Sequence, residues 1–142
     1  MAYLPDGVPG PEPTFDDNPF WEHCAKGELR FQRCGGCGLV RNPPGPACPR
    51  CQSFACDWVA AGDDAELFSF TVVHYSAQGA IAPALPYNVA IVRFPSLNDV
   101  RLVSNVIDTP AAGLRIGMEL ALVFETAGNG RPVPRFRPKG AA

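Results

Sequence analysis

The residues best equipped for chemistry lie in one stretch, CGGCGLVRNPPGPACPRC, in which Cys34 and Cys37 form one Cys-x-x-Cys pair and Cys48 and Cys51 form a second. Thiols so spaced can pair as disulfides, cycle as a redox dithiol or close around a metal. A tight knuckle converges two thiolates on one ion, and Gly38, directly after the second cysteine, permits the left-handed turn that aims backbone N–H groups at sulfur. Pro49 pre-sets the bend of the second knuckle. Four thiolates fill a tetrahedral shell and leave no position for an activated water, which marks a structural ion, not a catalytic one. Zinc is the expected occupant; iron, which a rubredoxin-like set of sulfurs also accepts, is the less common one. Small thiolate zinc sites bind with about 10–16 kcal/mol, against a net domain stability of about 5–15 kcal/mol. The segment is therefore expected to need its ion to hold its shape.

The remaining cysteines and histidines offer less. His23 and Cys24 are neighbours, but on a helix adjacent side chains diverge by about 100°, so the imidazole is badly placed to take the thiol proton. Cys24 reads as a small buried apolar group, and Cys56, between Phe54 and Trp58, reads the same way. His74 closes a strand and is expected to be a hydrogen-bonded structural residue. Asp63 and Asp64 follow Gly62 and read as a turn. With no Ser-His-Asp set, phosphate loop or close carboxylate pair in the sequence, the parts of a self-sufficient enzyme are missing.

The 142 residues carry 46% apolar and 18% charged side chains, an ordinary globular balance able to bury a core. The sequence has no apolar run long enough for a membrane helix, and MAYLPDGVPGPEP has neither the basic start nor the apolar centre of an export signal. A cytoplasmic location is expected, where thiols stay reduced, and this favours a metal over disulfides. The net charge of −2 is unevenly spread. Lys26, Arg30, Arg33, Arg41 and Arg50 cluster around the cysteines against Glu28 alone, and Arg131, Arg135, Arg137 and Lys139 crowd the C-terminus. An anionic partner would be met there, unless these cations only solvate the surface. A nucleic-acid-binding module is the rival reading. It requires a positive groove with exposed stacking aromatics, whereas residues 52–125 are acidic on balance.

Elements that could position these groups follow from composition and period. Residues 1–14 are rich in Pro and Gly and are expected to form an unstructured tail. Residues 15–30 hold a short helix, NPFWEHCAK, with Asn18 as cap, Pro19 in its first turn and Gly27 at its end. Phe20 and Trp21 must then be buried, either against this chain or against another. Residues 31–60 form the metal ribbon. Residues 61–138 alternate with period two. AELFSFTVVHY places Phe68, Phe70 and Val72 on one face. YNVAIVRF is apolar nearly throughout and so is expected to be covered on both sides. VRLVSNVI follows, then MELALVFET with Met118, Leu120, Leu122 and Phe124 inward. RPVPRFRP is an edge strand at best, because its prolines cannot donate. Residues 139–142 are a tail. Five strands with a spacer between the third and fourth match an OB-fold. The expected fold is mainly β: a short N-terminal helix, a rubredoxin-like zinc ribbon and a five-stranded OB-fold barrel.

The order of Phe20-Trp21, RCGGCG, Pro43-Pro44, CPRC, Pro86-Tyr87, Gly117-Met118 and a closing RFRP resembles the acyl-CoA-associated OB-fold family with an N-terminal rubredoxin-like zinc ribbon, over about residues 15–138. The resemblance implies a non-catalytic accessory subunit of a thiolase or lipid-transfer-type thiolase-like protein in acyl-CoA metabolism, with the catalytic residues in the partner. It implies docking through Phe20 and Trp21 and the ribbon, and a position near the partner's substrate channel for the SAQGAIAPALP loop. Contact of Arg135, Arg137 and Lys139 with CoA phosphates is an electrostatic expectation added to it. Where the family has a Gly-rich turn before the first barrel strand, this chain has AAGDDAEL.

Overall fold

The computed structural model describes residues 2–140. One α-helix, α1 (Asn18–Ala25), precedes eight strands: β1 (Arg30–Cys34), β2 (Val40–Arg41), β3 (Cys56–Ala60), β4 (Glu66–Val73), β5 (Tyr87–Phe94), β6 (Val100–Ser104), β7 (Leu120–Thr126) and β8 (Pro132–Pro138). They form three antiparallel sheets, ordered β2-β1-β3, β4-β5-β6 and β7-β8. The first is the ribbon and the other two make up the OB-fold.

Helix α1 begins behind Asp17, and Gly27, at φ +75°, takes the left-handed conformation that ends it. Asp17 turns its carboxylate back to Thr14, accepting from the backbone N–H at 2.5 Å and the hydroxyl at 2.9 Å, while the Asn18 amide donates to Glu22 at 2.9 Å. Phe20 and Cys24 face inward and join Leu29, Phe31 and Val40 of the ribbon and Leu67, Val92, Phe94, Leu120 and Phe136 of the OB-fold in one cluster. The rings of Phe31 and Phe94 lie 5.2 Å apart and those of Phe94 and Phe136 6.1 Å apart, so an aromatic relay ties ribbon to barrel. Each such side chain contributes about 1.5–3 kcal/mol on burial. The shared core fixes how the metal ribbon is presented.

The OB-fold strands differ in detail from the period-two reading. A bulge between Leu67 and Ser69 shifts the register of β4, so Leu67 is buried and Phe68 turns outward, away from the face of Phe70 and Val72. Leu120 is buried, but Leu122 is exposed. Strand β8 pairs with β7 along its whole length, prolines included. Pro132, Pro134 and Pro138 share the parity of Phe136, whose N–H points away from β7 to the Asn105 carbonyl at 3.1 Å, so no ladder bond between β7 and β8 is lost. The same parity explains why the barrel is not hydrogen-bonded all round. On the side facing β6 the prolines offer no donors, and closure runs through the isolated bridges Val106–Phe136 and Glu66–Glu119. It is reinforced by the Ser104 hydroxyl donating to the Pro134 carbonyl at 2.7 Å.

The N-terminal segment departs from the expectation of an unstructured tail. Tyr3 donates its N–H to the Glu125 carboxylate at 3.1 Å, and its hydroxyl accepts from the Asn88 backbone N–H at 2.8 Å and side-chain amide at 2.9 Å. The Pro11 carbonyl accepts from the Asn129 amide at 2.9 Å. Prolines restrict the unbound chain and lower the entropy lost on ordering, which composition alone understates. At the other end Lys139 and Gly140 are described; Met1 and residues 141–142 lie outside the described residues.

Candidate metal centre and its surroundings

The ribbon brings the four cysteines together through two knuckles built alike. In the first, the Gly38 N–H donates to the Cys34 carbonyl at 3.0 Å and the Cys34 N–H to the Leu39 carbonyl at 2.8 Å. In the second, Gln52 donates to Cys48 at 2.9 Å and Cys48 to Ser53 at 2.9 Å. Gly38 (φ +79°) and Gln52 (φ +66°) hold equivalent left-handed positions, so the second knuckle tolerates a side chain where the first has none. Sulfur is approached by backbone donors, as the knuckle reading requires: Gly36 at 3.2 Å and Cys37 at 3.4 Å from Cys34 Sγ, and Arg50 at 3.4 Å from Cys48 Sγ.

All four Sγ atoms lie within 4.8 Å of one another, with Cys34 to Cys51 at 3.5 Å and Cys37 to Cys48 at 3.6 Å. A tetrahedral shell with Zn–S near 2.3 Å puts sulfurs about 3.8 Å apart, whereas a disulfide needs about 2.05 Å. The spacing fits an enclosed ion. Among themselves the thiols titrate unequally. The Cys37 N–H, ahead of other donors, pulls Cys34 down to about 6; Cys51, despite the Ser53 N–H, is pushed up to about 11 by its sulfur neighbours. Four crowded sulfurs cannot share negative charge without a cation between them. Cys34, Cys37, Cys48 and Cys51 are therefore the residues that would hold a structural zinc.

A support that sequence reasoning missed lies beneath the loop joining the knuckles. Arg41, nearly buried, donates from Nε to Gln32 Oε1 at 2.8 Å and from Nη2 to the Gly45 carbonyl at 3.3 Å, and Gly45 N–H donates to the same Gln32 oxygen at 2.9 Å. Gln32 and Arg41 are cross-strand partners in β1 and β2. The alternation of a two-residue strand is too short to be legible in sequence.

The other expected site residues fare differently. Phe20 is 5% exposed and belongs to the core, so it offers no docking surface; Trp21 packs edge-on against it at 4.9 Å and remains half-buried. Trp21 borders a groove of about 460 Å³ that includes Pro43, Pro44, Leu102 and Val103. Arg135 is turned inward to Glu125, in a long 3.5 Å ion pair, and burial lowers its pKa. Lys139 donates to the Asp63 carbonyl at 2.9 Å with the Asp63 carboxylate 3.4 Å away. Of the three cations expected at CoA phosphates, only Arg137 stands exposed without such a partner among the described residues. The AAGDDAEL turn is tied down by these contacts and by Asp64, which accepts from the Ser96 N–H at 2.7 Å. Cys24 is fully buried, and burial pushes its thiol up to about 11. Cys56 is exposed, against expectation, because β3 is an edge of the ribbon sheet; the Gln32 amide reaches its sulfur at 3.5 Å.

Fold and site together define a zinc-ribbon and OB-fold protein. Residues 21–57 match the family model of the ChsH2 rubredoxin-like zinc ribbon domain, and residues 58–125 that of the ChsH2 C-terminal OB-fold domain. The chain is 33% identical to a chain of a solved Ltp2-ChsH2(DUF35) aldolase, with a TM-score of 0.81, covering 91% of this chain and 98% of that one. It belongs to the ChsH2 (DUF35) family. A curated relative from Thermomonospora curvata, named a probable enoyl-CoA hydratase alpha subunit, is 37% identical over 130 residues, 90% of this chain; the chain spans 40% of that relative's length. A DUF35 protein of unknown function from Sulfolobus solfataricus, 18% identical with a TM-score of 0.61, covers 85% of this chain and is covered over 83% of its own length, and shares the fold.

Proposed function

We propose that this chain is a non-catalytic accessory subunit of a lipid-transfer-type, thiolase-like enzyme complex in acyl-CoA metabolism. In this reading it stabilises its partner and helps form the partner's acyl-CoA site. The observation that carries the reading is the end-to-end likeness to a chain of the Ltp2-ChsH2(DUF35) aldolase. The aldolase named there favours retro-aldol cleavage of a CoA thioester over thiolytic cleavage, and the hydratase name of the Thermomonospora relative points to the same class of thioester substrates.

The chain's own chemistry supports a passive role. The one cage among the described residues is closed and leaves no ligand position for a reacting oxygen. The Cys24 thiol is shielded, and His23 faces Trp58, ring to ring at 5.6 Å, and Glu28, 3.9 Å from its Nδ1. What zinc supplies is rigidity, which the shared aromatic core transmits to the barrel. We take the ribbon to end at residue 60, since β3 pairs with β1 along its whole length, and the OB-fold to occupy residues 61–138. Among the described residues no helix is long and apolar enough to cross a membrane; we place the protein in the cytoplasm, where thiolate ligands stay reduced. Of the cations considered for CoA phosphates, Arg137 is the one we retain.

Co-expression with the product of the nearest thiolase-like gene, followed by size exclusion and an acyl-CoA cleavage assay of each part and of the pair, tests the reading. Co-elution with cleavage only, or mainly, in the pair is expected. Separate elution with full activity in the partner alone refutes it.

A further inference from the structure

Strand β5 was expected to be covered on both faces, and the structure covers one. Its side chains alternate strictly between buried and half-buried, and those of β6 between buried and exposed. On the outer face Tyr87, Val89 and Ile91 of β5 stand half-exposed, and Val103 of β6, directly opposite Ile91, is 66% exposed. A solvated antiparallel sheet carries polar residues at such positions. Val103 also borders the groove of Trp21, Pro43 and Pro44, so the apolar face of the sheet runs on into that groove.

One edge of this face has an unusual charge arrangement. Arg93 and Arg101 are direct cross-strand partners, a pairing of like charges that destabilises a sheet unless each guanidinium is balanced. Glu66, the partner of Arg93 on β4, is ion-paired with it. Arg101 instead sits with its guanidinium carbon over the ring of Phe68, 3.8 Å from its centroid, on the side chain that the β4 bulge has turned outward. That leaves a guanidinium with no carboxylate partner among the described residues, beside an apolar sheet.

We infer that the outer face of β4-β5-β6, centred on Val103 and bounded by the stacked Arg101, is the surface through which the chain docks on its enzyme partner, and that the partner meets it with an apolar patch flanked by a carboxylate placed for Arg101. The inference rests on the accessory-subunit reading. Charge decides the occupant. The face carries two arginines against one acid, so a second copy laid against it would bring like charge to like, whereas a chain with an acid at the rim completes the row. Apolar residues at the centre and a guanidinium at the edge are also the division found in stable heteromeric interfaces.

The test uses the full chain, zinc-loaded, and the purified partner. Val103→Arg is expected to weaken binding by about tenfold or more with the melting temperature and zinc content of the chain unchanged. Arg101→Ala is expected to weaken it less and to flatten its salt dependence. Phe54→Ser removes an aromatic 80% exposed at the ribbon tip and should leave affinity unchanged. Wild-type binding that Val103→Arg does not alter overturns the assignment, as does loss of binding in Phe54→Ser alone. Dimerisation of the isolated wild-type chain that Val103→Arg abolishes overturns it in favour of self-association. No binding by the wild-type chain refutes the accessory-subunit reading itself, and the assignment falls with it.

Discussion

Asn88 joins the two halves of the OB-fold where the prolines of β8 prevent a continuous ladder, and replacing it by alanine has a calculable cost. Asn88 is 4% exposed and Val106 0%. The Asn88 side chain accepts from the Val106 N–H at 2.8 Å and donates to the Val106 carbonyl at 2.8 Å, while Val106 forms the bridge to Phe136. Asn88→Ala leaves both backbone groups of Val106 buried and unpaired, at about 1–3 kcal/mol each, so a loss of about 2–6 kcal/mol is expected. Against a total of about 5–15 kcal/mol that is a large fraction. Tyr3→Phe removes only the acceptor of the Asn88 amides and should cost about 0.5–1.5 kcal/mol. Urea denaturation of the zinc-loaded proteins, followed by tryptophan fluorescence, measures both, with unchanged slope marking a change in stability alone. A loss below about 1 kcal/mol in Asn88→Ala, or one smaller than in Tyr3→Phe, refutes the view that this side chain closes the barrel.

Three further outcomes are expected. Elemental analysis should return one zinc per chain, and a chelator strong enough to remove it, or Cys48→Ser, should abolish cooperative unfolding of the ribbon, seen as loss of the near-ultraviolet dichroism of Trp58; neither zinc nor iron in fresh material would contradict the cage. The Cys24 thiol, raised by burial from 9.0 to about 11, disfavours its thiolate in the folded state, so the stability it contributes is intact below pH 9 and is lost as pH rises towards 11. Cys24→Ala should flatten that alkaline loss, and iodoacetamide at pH 8 should label Cys56 but not Cys24 in the native zinc protein. Filter binding of single-stranded DNA by the zinc protein should be weak at moderate salt; tight, steeply salt-dependent retention would favour the nucleic-acid reading.

The cage was legible in sequence because metal chemistry fixes spacing: two Cys-x-x-Cys pairs and a glycine in the left-handed turn need no tertiary information. Helix α1 was legible for the same local reasons, its proline and its terminal glycine. Phe20 shows the limit, since an aromatic near a helix start must be buried but its period does not say by what; here the chain's own core takes it. The register of β4 was hidden because one extra residue in a bulge exchanges Leu67 for Phe68, and no composition signal marks it. The run of β8 was underestimated because proline's effect depends on which side of the strand its missing N–H faces, a parity set by pairing. Asn88, Gln32 and Arg41 are buried polar residues whose partners are distant in sequence, and hydropathy alone lists them as surface.

The basic character of the ribbon takes on a different meaning once its partners are known. Arg30 and Arg33 meet the carboxylates of Glu28 and Asp57, at 2.7 Å and 2.8 Å, whereas Arg41 and Arg50 find only neutral acceptors, Arg50 reaching the Cys37 carbonyl at 3.2 Å. Four thiolates around a divalent ion carry two surplus negative charges, and the Arg50 guanidinium is the cation set beside them. Stripping the ion and reprotonating the sulfurs leaves that guanidinium behind. Demetallation thus exposes a local positive charge on a chain that remains acidic overall at −2, and adhesion to heparin or DNA that arises only after chelation reports damaged material, not a biological ligand.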